Sequence, residues 1–455
     1  MTYLKRTIDR DLEAWQQDPS RKPLLLRGAR QVGKSTVVRE LAKKFDHFLE
    51  INFEIQKEVH HIFSSDLEPR RLCENLAILY DTPIIPGKTL LFFDEIQACL
   101  PAISSMRFFY EKMPELHLIA AGSLLEFALG ELPSFGVGRI RSLFVYPFSF
   151  NEFLDAVGES RLLKAKSNAT HEKPLIGPIH AKLIQYLKKF LILGGMPEVV
   201  AAYVAGKDLL SARQVLDDLI ISLRSDFVKY RRRVSAIRVA EVFESVVRQT
   251  GGKYMYSKAG QDLTNRQVKE ALELLIMAGL VIPVTHTAAN GLPLGATIDP
   301  KKRKMILLDT GIFLRLLGLD LSEMLTREDF NAINKGAVAE MHAGLELMKY
   351  SSPFRPVDLY YWQREQKNSQ AEVDYIIQKQ LEILPIEVKS GEKGTMQSLF
   401  LFLTEKNIRS GIRLSLENYA VYDRVSVFPL YAVAEIYREE PTIEEHHSSS
   451  SGLMI

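Results

Sequence analysis

Apolar positions in the first part of the chain fall into short unbroken runs. Leu24-Leu25-Leu26, Thr89 to Phe93, Leu116 to Ala121 and Ile140 to Tyr146 have the length and composition of strands, and between them Thr36 to Lys44 and Ala102 to Lys112 have helical spacing. From Glu159 to Pro178 the chain is polar and contains Gly and Pro, which predicts an exposed connection or hinge. Helical spacing resumes at Ile179 and continues to Val234. Ile237 to Arg248 predicts a helix, and Thr264-Asn265-Arg266-Gln267 is a capping box opening another, with Val268, Ala271, Leu272, Leu275 and Ile276 apolar and a stop near Gly279. Leu280 to Val284 and Met305 to Leu308 read as two strands around a Gly- and Pro-containing turn, so this stretch has the outline of a winged helix-turn-helix. Last come a helix over Lys335 to Tyr350, strands over Leu359 to Gln363, Glu372 to Gln378 and Ile383 to Val388, a helix over Met396 to Lys406, and later strands.

The elements divide the 455 residues into segments at 1–155, 156–235, 236–325 and 330–440, with a serine-rich tail over 441–455 that predicts disorder. With 58 Lys and Arg against 56 Asp and Glu, bulk charge selects no partner, and any nucleic-acid surface must be a local patch. Two cysteines, Cys73 and Cys99, are too few for a disulfide framework or a zinc cluster and suit a reducing cytoplasm. No apolar run reaches membrane-spanning length, since Leu191 to Val204 is broken by Gly194, Gly195 and Pro197. The first 15 residues carry Lys5, Arg6, Asp9, Asp11 and Glu13 where an export signal needs an apolar core.

Candidate chemistry begins where the first strand runs into Gly28-Ala29-Arg30-Gln31-Val32-Gly33-Lys34-Ser35-Thr36 and then a helix. In such a loop the glycines let successive N–H groups point at phosphate oxygens at a helix N-terminus. Lys34 supplies charge to the β and γ phosphates of ATP, and Ser35 a hydroxyl ligand for Mg²⁺. A glycine turn with a surface lysine is the bland alternative. Against it stands the apolar strand that ends in Asp94-Glu95, a Walker B pattern in which Asp94 holds magnesium and Glu95 activates water. Ser123, after the strand ending at Ala121, is a candidate γ-phosphate sensor or else the N-cap of a helix over Leu124 to Ala128. Arg139 is a candidate arginine finger for a neighbouring subunit, which would require a homo-oligomer, or else a surface or interdomain arginine.

The P-loop together with Phe93-Asp94-Glu95-Ile96-Gln97, Ala121-Gly122-Ser123 and the run from Tyr146 to Phe153 resembles the prokaryotic AAA+ ATPases with a DUF4143 C-terminal region. The resemblance extends over nearly the whole chain. It implies a parallel five-stranded sheet with flanking helices, and Leu193-Gly194-Gly195-Met196-Pro197-Glu198 matches that family's helical-lid signature. The expected fold is therefore α/β: a P-loop AAA+ sheet with a helical lid, a winged helix-turn-helix and a C-terminal restriction-endonuclease-like domain.

Two further surfaces bear on DNA. Asn265, Arg266 and Lys269 can face a groove, while Lys301, Lys302, Arg303 and Lys304 sit on the wing side where phosphates are contacted; the alternative is a module that docks protein. The basic run from Lys229 to Arg233 is a second patch, or a solvated helix end. In the last segment Asp374, Glu387 and Lys389, with Glu340 on the preceding helix, resemble the PD-(D/E)xK nuclease core, in which two carboxylates hold a divalent metal and the lysine positions the nucleophile. Val373 stands where that pattern has proline. Two readings remain: an ATPase that works on DNA and cuts it with Mg²⁺, or an ATP-driven switch whose C-terminal domain only docks.

Overall fold

The structure, a computed structural model, describes residues 3–131, 138–206, 208–230, 234–319, 336–364, 371–392 and 394–438. The side chains of the basic run at 229–233, the segment boundary near 325–330 and the tail 441–455 lie outside the described residues.

Two sheets organise the chain. The first is built from β1 (Leu24–Arg27), β2 (His47–Asn52), β3 (Thr89–Asp94), β4 (His117–Ala121) and β5 (Arg141–Phe144) in the order β2-β3-β4-β1-β5, every pairing parallel. Helices cover both faces, so β3 and β4 are buried at every residue. One face carries Leu24, Leu26 and Phe92 and is covered by the helix Lys34–Ala42, the other packs Leu25, Leu91 and Phe93 against the helices at 60–112. Parallel strands put all their C-terminal ends on one edge, where open α/β sheets bind ligands.

The second sheet has eight strands: β6 (Val281–Thr287), β7 (Ile298–Leu307), β8 (Leu359–Gln363), β9 (Glu372–Lys379), β10 (Glu382–Val388), β11 (Gly411–Ser415), β12 (Ala420–Tyr422) and β13 (Val425–Pro429). Their order is β12-β13-β11-β10-β9-β8-β6-β7. The expected hairpin is present as β6 and β7, after the helices Ala236–Gln249 and Asn265–Met277. It is not a separate wing. β6 pairs in parallel with β8 through Val284–Leu359, Thr285–Tyr360 and His286–Tyr361, so one sheet spans the expected boundary between the third and fourth segments. The physical reason is the free ladder edge of β6, which a lone hairpin would leave open and β8 covers.

The polar stretch after Glu159 also departs from expectation. Ser160–Asn168 is a helix, because Leu162 and Lys166 turn one face inward. Lys166 is fully buried and its Nζ lies 2.9 Å from Glu435 near the C-terminal end of the described chain. What looked like a hinge is a fastening. The segment expected to be the lid follows as helices Gly177–Leu193, Pro197–Gly206 and Leu209–Ser225. Among the described residues no helix is long and apolar enough to cross a membrane.

The run from Tyr146 to Phe153 is the joint between the two sheets. Ser149 and Glu152 form a capping box for the helix Phe150–Ala156, and this helix start meets the helix Ala337–Lys349. Phe150 N–H donates to Glu346 at 3.0 Å, and Lys349 Nζ donates to the carbonyl of Phe148 at 2.8 Å.

Candidate nucleotide site and a second charged cluster

The loop between β1 and the helix Lys34–Ala42 needs its glycines for different reasons. At Gly28, φ is +140° and a Cβ would meet the carbonyl oxygen of Val145 at 2.2 Å, so only glycine lets the backbone pass. Gly33, at φ +92°, is the left-handed residue from which the helix starts. Lys34 points back into the loop and its ammonium donates to the carbonyls of Gly28 and Ala29 at 2.9 and 2.7 Å. Burial lowers its pKa to about 8, while Glu95 and Asp94 oppose that fall. Its direct hydrogen-bond partners are neutral dipoles, with Asp94 and Glu95 acting on its charge from farther off.

Ser35 lies against the end of β3, where its hydroxyl donates to Asp94 at 3.0 and 3.1 Å. Asn52 at the end of β2 holds the same carboxylate from the other side at 3.4 Å, and burial raises the pKa of Asp94. Glu95 sits at φ +49°, a left-handed conformation unusual for a non-glycine. Its carboxylate accepts from Gln97 at 2.5 Å and from Ser123 at 3.2 Å. Ser123 in turn accepts from Arg30 at 3.3 Å. The N-cap reading of Ser123 fails, because the helix Leu125–Leu129 begins without a side-chain cap. Arg30, Lys34, Ser35, Glu95 and Ser123, with Gln31, Gly33, Thr36, Pro197 and Glu198, line a cavity of about 580 Å³ between the P-loop and the helix that starts at Pro197, and Asp94 is buried behind Ser35.

Ala29 and Val32 are buried beneath the loop and shape it from behind. Arg139 stands apart from the cavity, on the opposite edge of the sheet before β5, in an exposed ion pair with Glu111. Sequence reasoning missed Arg6, which fixes the loop in place. Its guanidinium donates to the carbonyls of Val32 at 3.2 Å and Tyr146 at 2.6 Å and pairs with buried Glu152 at 3.1 Å. An arginine in a polar N-terminal stretch gave no pattern to find it by. Arg30 reaches the lid, where Asp226 receives its Nη1 at 2.5 Å.

The second cluster lies on the face of the eight-stranded sheet. Asp374 on β9 and Glu387 on β10 come together with Lys389 and with Glu340 of the helix Ala337–Lys349. Lys389 pairs with Glu387 at 2.6 Å, and Asp374 accepts the N–H of Val388 at 2.7 Å. Two members were not expected. Glu372, two residues before Asp374 on β9, belongs here, a placement that strand alternation could have signalled. The other is Lys304, expected on a DNA-facing wing. It is 2% exposed, donates to Glu340 at 2.8 Å, pairs with Glu372 and lies 3.8 Å from Asp374. The inward face of β7 carries it to the centre of the carboxylates, so it cannot reach phosphate.

A divalent metal does not fit this arrangement. The cationic position is taken by Lys304, and among the described residues no group of three or more His, Cys, Asp or Glu is arranged to hold a metal ion. One carboxylate oxygen, Glu387 Oε2, is buried without a protein partner. Burial and Glu340 push Asp374 well above the carboxylate range against the pull of Lys304.

The remaining DNA candidates divide by exposure. Asn265, Arg266, Lys269 and Lys301 are exposed, whereas Lys302 and Arg303 are half-buried. Arg266 and Lys269 pair one helical turn on with Glu270 and Glu273, at 2.9 and 3.8 Å, and Lys302 pairs with Asp299 at 3.5 Å.

Comparison with known proteins matches this geometry at the level of domains. Residues 20–154 match an AAA domain family, 184–323 a domain of unknown function (DUF8612) and 335–433 a second domain of unknown function (DUF4143). No curated protein matches. Among solved structures, the Walker-type ATPase paby2304 of Pyrococcus abyssi is similar at 17% identity and a TM-score of 0.46, over 69% of this chain and 96% of that one. The Aeropyrum pernix ORC1 protein in complex with DNA is similar at 14% identity and a TM-score of 0.29, over 73% and 94%. Likeness at these values leaves the functional reading to the chain's own residues. The chain carries an AAA-type ATPase domain and, toward its C-terminus, a DUF4143 domain.

Proposed function

We propose that this protein is an ATP-hydrolysing switch that engages DNA, with the nucleotide bound between the P-loop and the lid. The observation that carries the ATPase part is the continuous chain Ser35–Asp94–Glu95–Ser123, in which Ser35, Glu95 and Ser123 line one cavity with Lys34 and Asp94 is buried behind Ser35. Lys34 exchanges two carbonyls for phosphate oxygens, and the loop N–H groups with the following helix start hold the remaining charge. The Ser35 hydroxyl and the Asp94 carboxylate, 3.0 Å apart, are the donor types Mg²⁺ takes beside a nucleotide. Bound there, Mg²⁺ would neutralise phosphate charge. Glu95 accepts a proton from the attacking water, and Ser123 ties Glu95 to Arg30, so the residue that activates water and the one that faces the lid share a partner.

The DNA part rests on composition and exposure. Between residues 236 and 308 ten Lys and Arg stand against six Asp and Glu. Asn265, Arg266 and Lys269 open an exposed capped helix beside the hairpin that carries Lys301, in the helix-helix-hairpin order of a winged helix. Arg139 serves as a finger if the working form is a homo-oligomer, because its edge of the sheet faces away from its own cavity. Counting ATP turnover alone and with duplex, single-stranded and branched DNA tests the reading. Stimulation by one form supports it. Turnover unchanged by every form, with no salt-dependent DNA binding, removes DNA from it and leaves the ATPase.

A further inference from the structure

We propose that Lys304 is a built-in cation occupying the place where a nuclease core of this pattern needs its divalent metal, so that the Glu340–Glu372–Asp374 cluster is a metal-independent lock between the β6–β7 hairpin and the C-terminal sheet. Three observations converge on it. First, Lys304 is the residue that joins the carboxylates: its ammonium touches Glu340 on the helix and Glu372 on β9 and approaches Asp374, elements far apart in the chain. Second, its path is enclosed. Nζ lies 5.2 Å from the ring centre of Tyr361, a fully buried residue on β8, so the stem crosses the sheet under an aromatic cover that favours a cation. Third, each carboxylate a metal would need already faces a protein cation or an N–H group through at least one oxygen. Asp374 gives one to the Val388 N–H and turns the other toward Lys304, and Glu387 gives one to Lys389.

The remaining oxygens are the second ones of Glu340, Glu372 and Glu387, the last of them buried. Mg²⁺ keeps near-octahedral coordination and is usually held through one or two carboxylates plus substrate phosphates, and here an entering ion meets the ammonium of Lys304 among the carboxylates and that of Lys389 on Glu387, two like charges at the oxygens it would bind. A lysine reaching from β7 accomplishes two things a metal would not. It needs no loading, and it couples the position of the hairpin to the C-terminal sheet by charge as well as by the β6–β8 ladder. Hairpin and sheet then move as one body when the lid responds to nucleotide. Cutting is absent and docking remains. This inference rests on the nuclease-like reading of the C-terminal domain but not on the ATPase reading, and nucleotide-free protein suffices to test it.

The test uses full-length protein and Mn²⁺ alone, with free Mn²⁺ followed by electron paramagnetic resonance. Wild type and Asp374→Asn are expected to give superimposable titrations to millimolar Mn²⁺, and any weak binding at the P-loop is identified by its loss in Asp94→Asn. Binding in wild type that survives Asp94→Asn and disappears in Asp374→Asn overturns the proposal. Lys304→Gln examines the lock. It is expected to lower the midpoint of thermal unfolding by several degrees without metal and to recover part of that loss in Mn²⁺ as the vacated position accepts a divalent ion. A Lys304→Gln protein that fails to fold agrees with the lock and leaves the wild-type titration to decide the metal. A Lys304→Gln melt identical to wild type overturns it.

Discussion

Lys34 and Lys304 are both buried lysines on the inner surface of a sheet or its loop, yet their surroundings give them opposite uses. Lys34 is held by the carbonyls of Gly28 and Ala29, which are dipoles without net charge, and it borders a cavity of about 580 Å³. Lys304 is held by carboxylates and is 2% exposed. Burial outweighs the acids around Lys34, whose pKa falls to about 8, whereas around Lys304 the carboxylates outweigh burial and its pKa rises. A cation held by dipoles keeps its charge for an anionic ligand; one held by carboxylates has spent it internally. The difference separates a binding site from a fastening better than the presence of Lys, Asp and Glu does.

The sharpest way to break the comparison is to remove the first lysine. Lys34→Ala is expected to abolish nucleotide binding, read by titration with labelled ATP; binding equal to wild type would make the loop a glycine turn and nothing more. Glu95→Gln, which leaves the lysine and the metal ligands in place, is expected to bind ATP while turnover falls about 10²- to 10⁴-fold, the range for a lost general base.

Acidity sharpens the same contrast. In the free protein Lys34 loses its proton near pH 8, and bound phosphate favours the ammonium, so binding takes up a proton above that pH. ATP affinity is therefore expected to fall by up to about tenfold for each pH unit above 8, until the pKa of the bound state is passed. The stability effect has the opposite sign. With the folded pKa below the ordinary lysine value of 10.5, the unfolded chain binds more protons between about pH 8 and 10.5, and this group makes nucleotide-free protein more stable as pH rises through that window. Calorimetry in buffers of different ionisation enthalpy measures the proton uptake directly, and an affinity flat from pH 7 to 9.5 would contradict it.

How much of this was legible depended on whether function was encoded locally. The P-loop, the Walker B end of β3 and Ser123 each sit at a strand end, where a short apolar run followed by Gly, Asp or Ser carries its own signal, and all of them meet at one cavity. The five-strand parallel sheet was implied by resemblance and is present in full. What escaped reading depends on long-range pairing. Lys304 lay in Lys301-Lys302-Arg303-Lys304, where alternation hides one lysine and exposes its neighbours, but nothing local says which face meets carboxylates from residues 340 and 372. The β6–β8 ladder and the Lys166–Glu435 pair join residues more than 70 positions apart and leave no periodic trace. Arg6 was missed for the same reason.

A smaller effect is expected where the P-loop meets the end of the helix Leu209–Ser225. Arg30 in the P-loop is paired with Asp226 at 2.5 Å, and both side chains are partly shielded from water. A triphosphate competes with Asp226 for this guanidinium. Asp226→Asn removes the competitor, and ATP affinity is expected to rise by about fivefold, near the 1 kcal/mol of a partly exposed pair. Titration at fixed magnesium measures it. Weaker binding would mean that Asp226 orients Arg30 toward the nucleotide instead of holding it away.

The smallest effects belong to the exposed basic residues, and they separate from Lys304 by kind more than by size. Arg266→Ala, Lys269→Ala and Lys301→Ala each remove at most one phosphate contact, so each is expected to weaken binding to any DNA sequence and to reduce the slope of log affinity against log salt by about one unit. Folding should hardly register the change at the helix, since the Arg266–Glu270 and Lys269–Glu273 pairs are exposed and such pairs contribute about 0.3–0.5 kcal/mol. Lys304→Gln behaves in reverse, with a lowered melting midpoint and a salt slope equal to that of wild type once the comparison is made below the melting range. Fluorescence anisotropy with a labelled duplex at four or five salt concentrations, paired with thermal melts of the same samples, places each lysine in one group or the other. If Lys304→Gln lowers the salt slope by a full unit with no loss of stability, then this lysine meets phosphate, and the contrast between a spent and an available cation fails at the residue on which it was built.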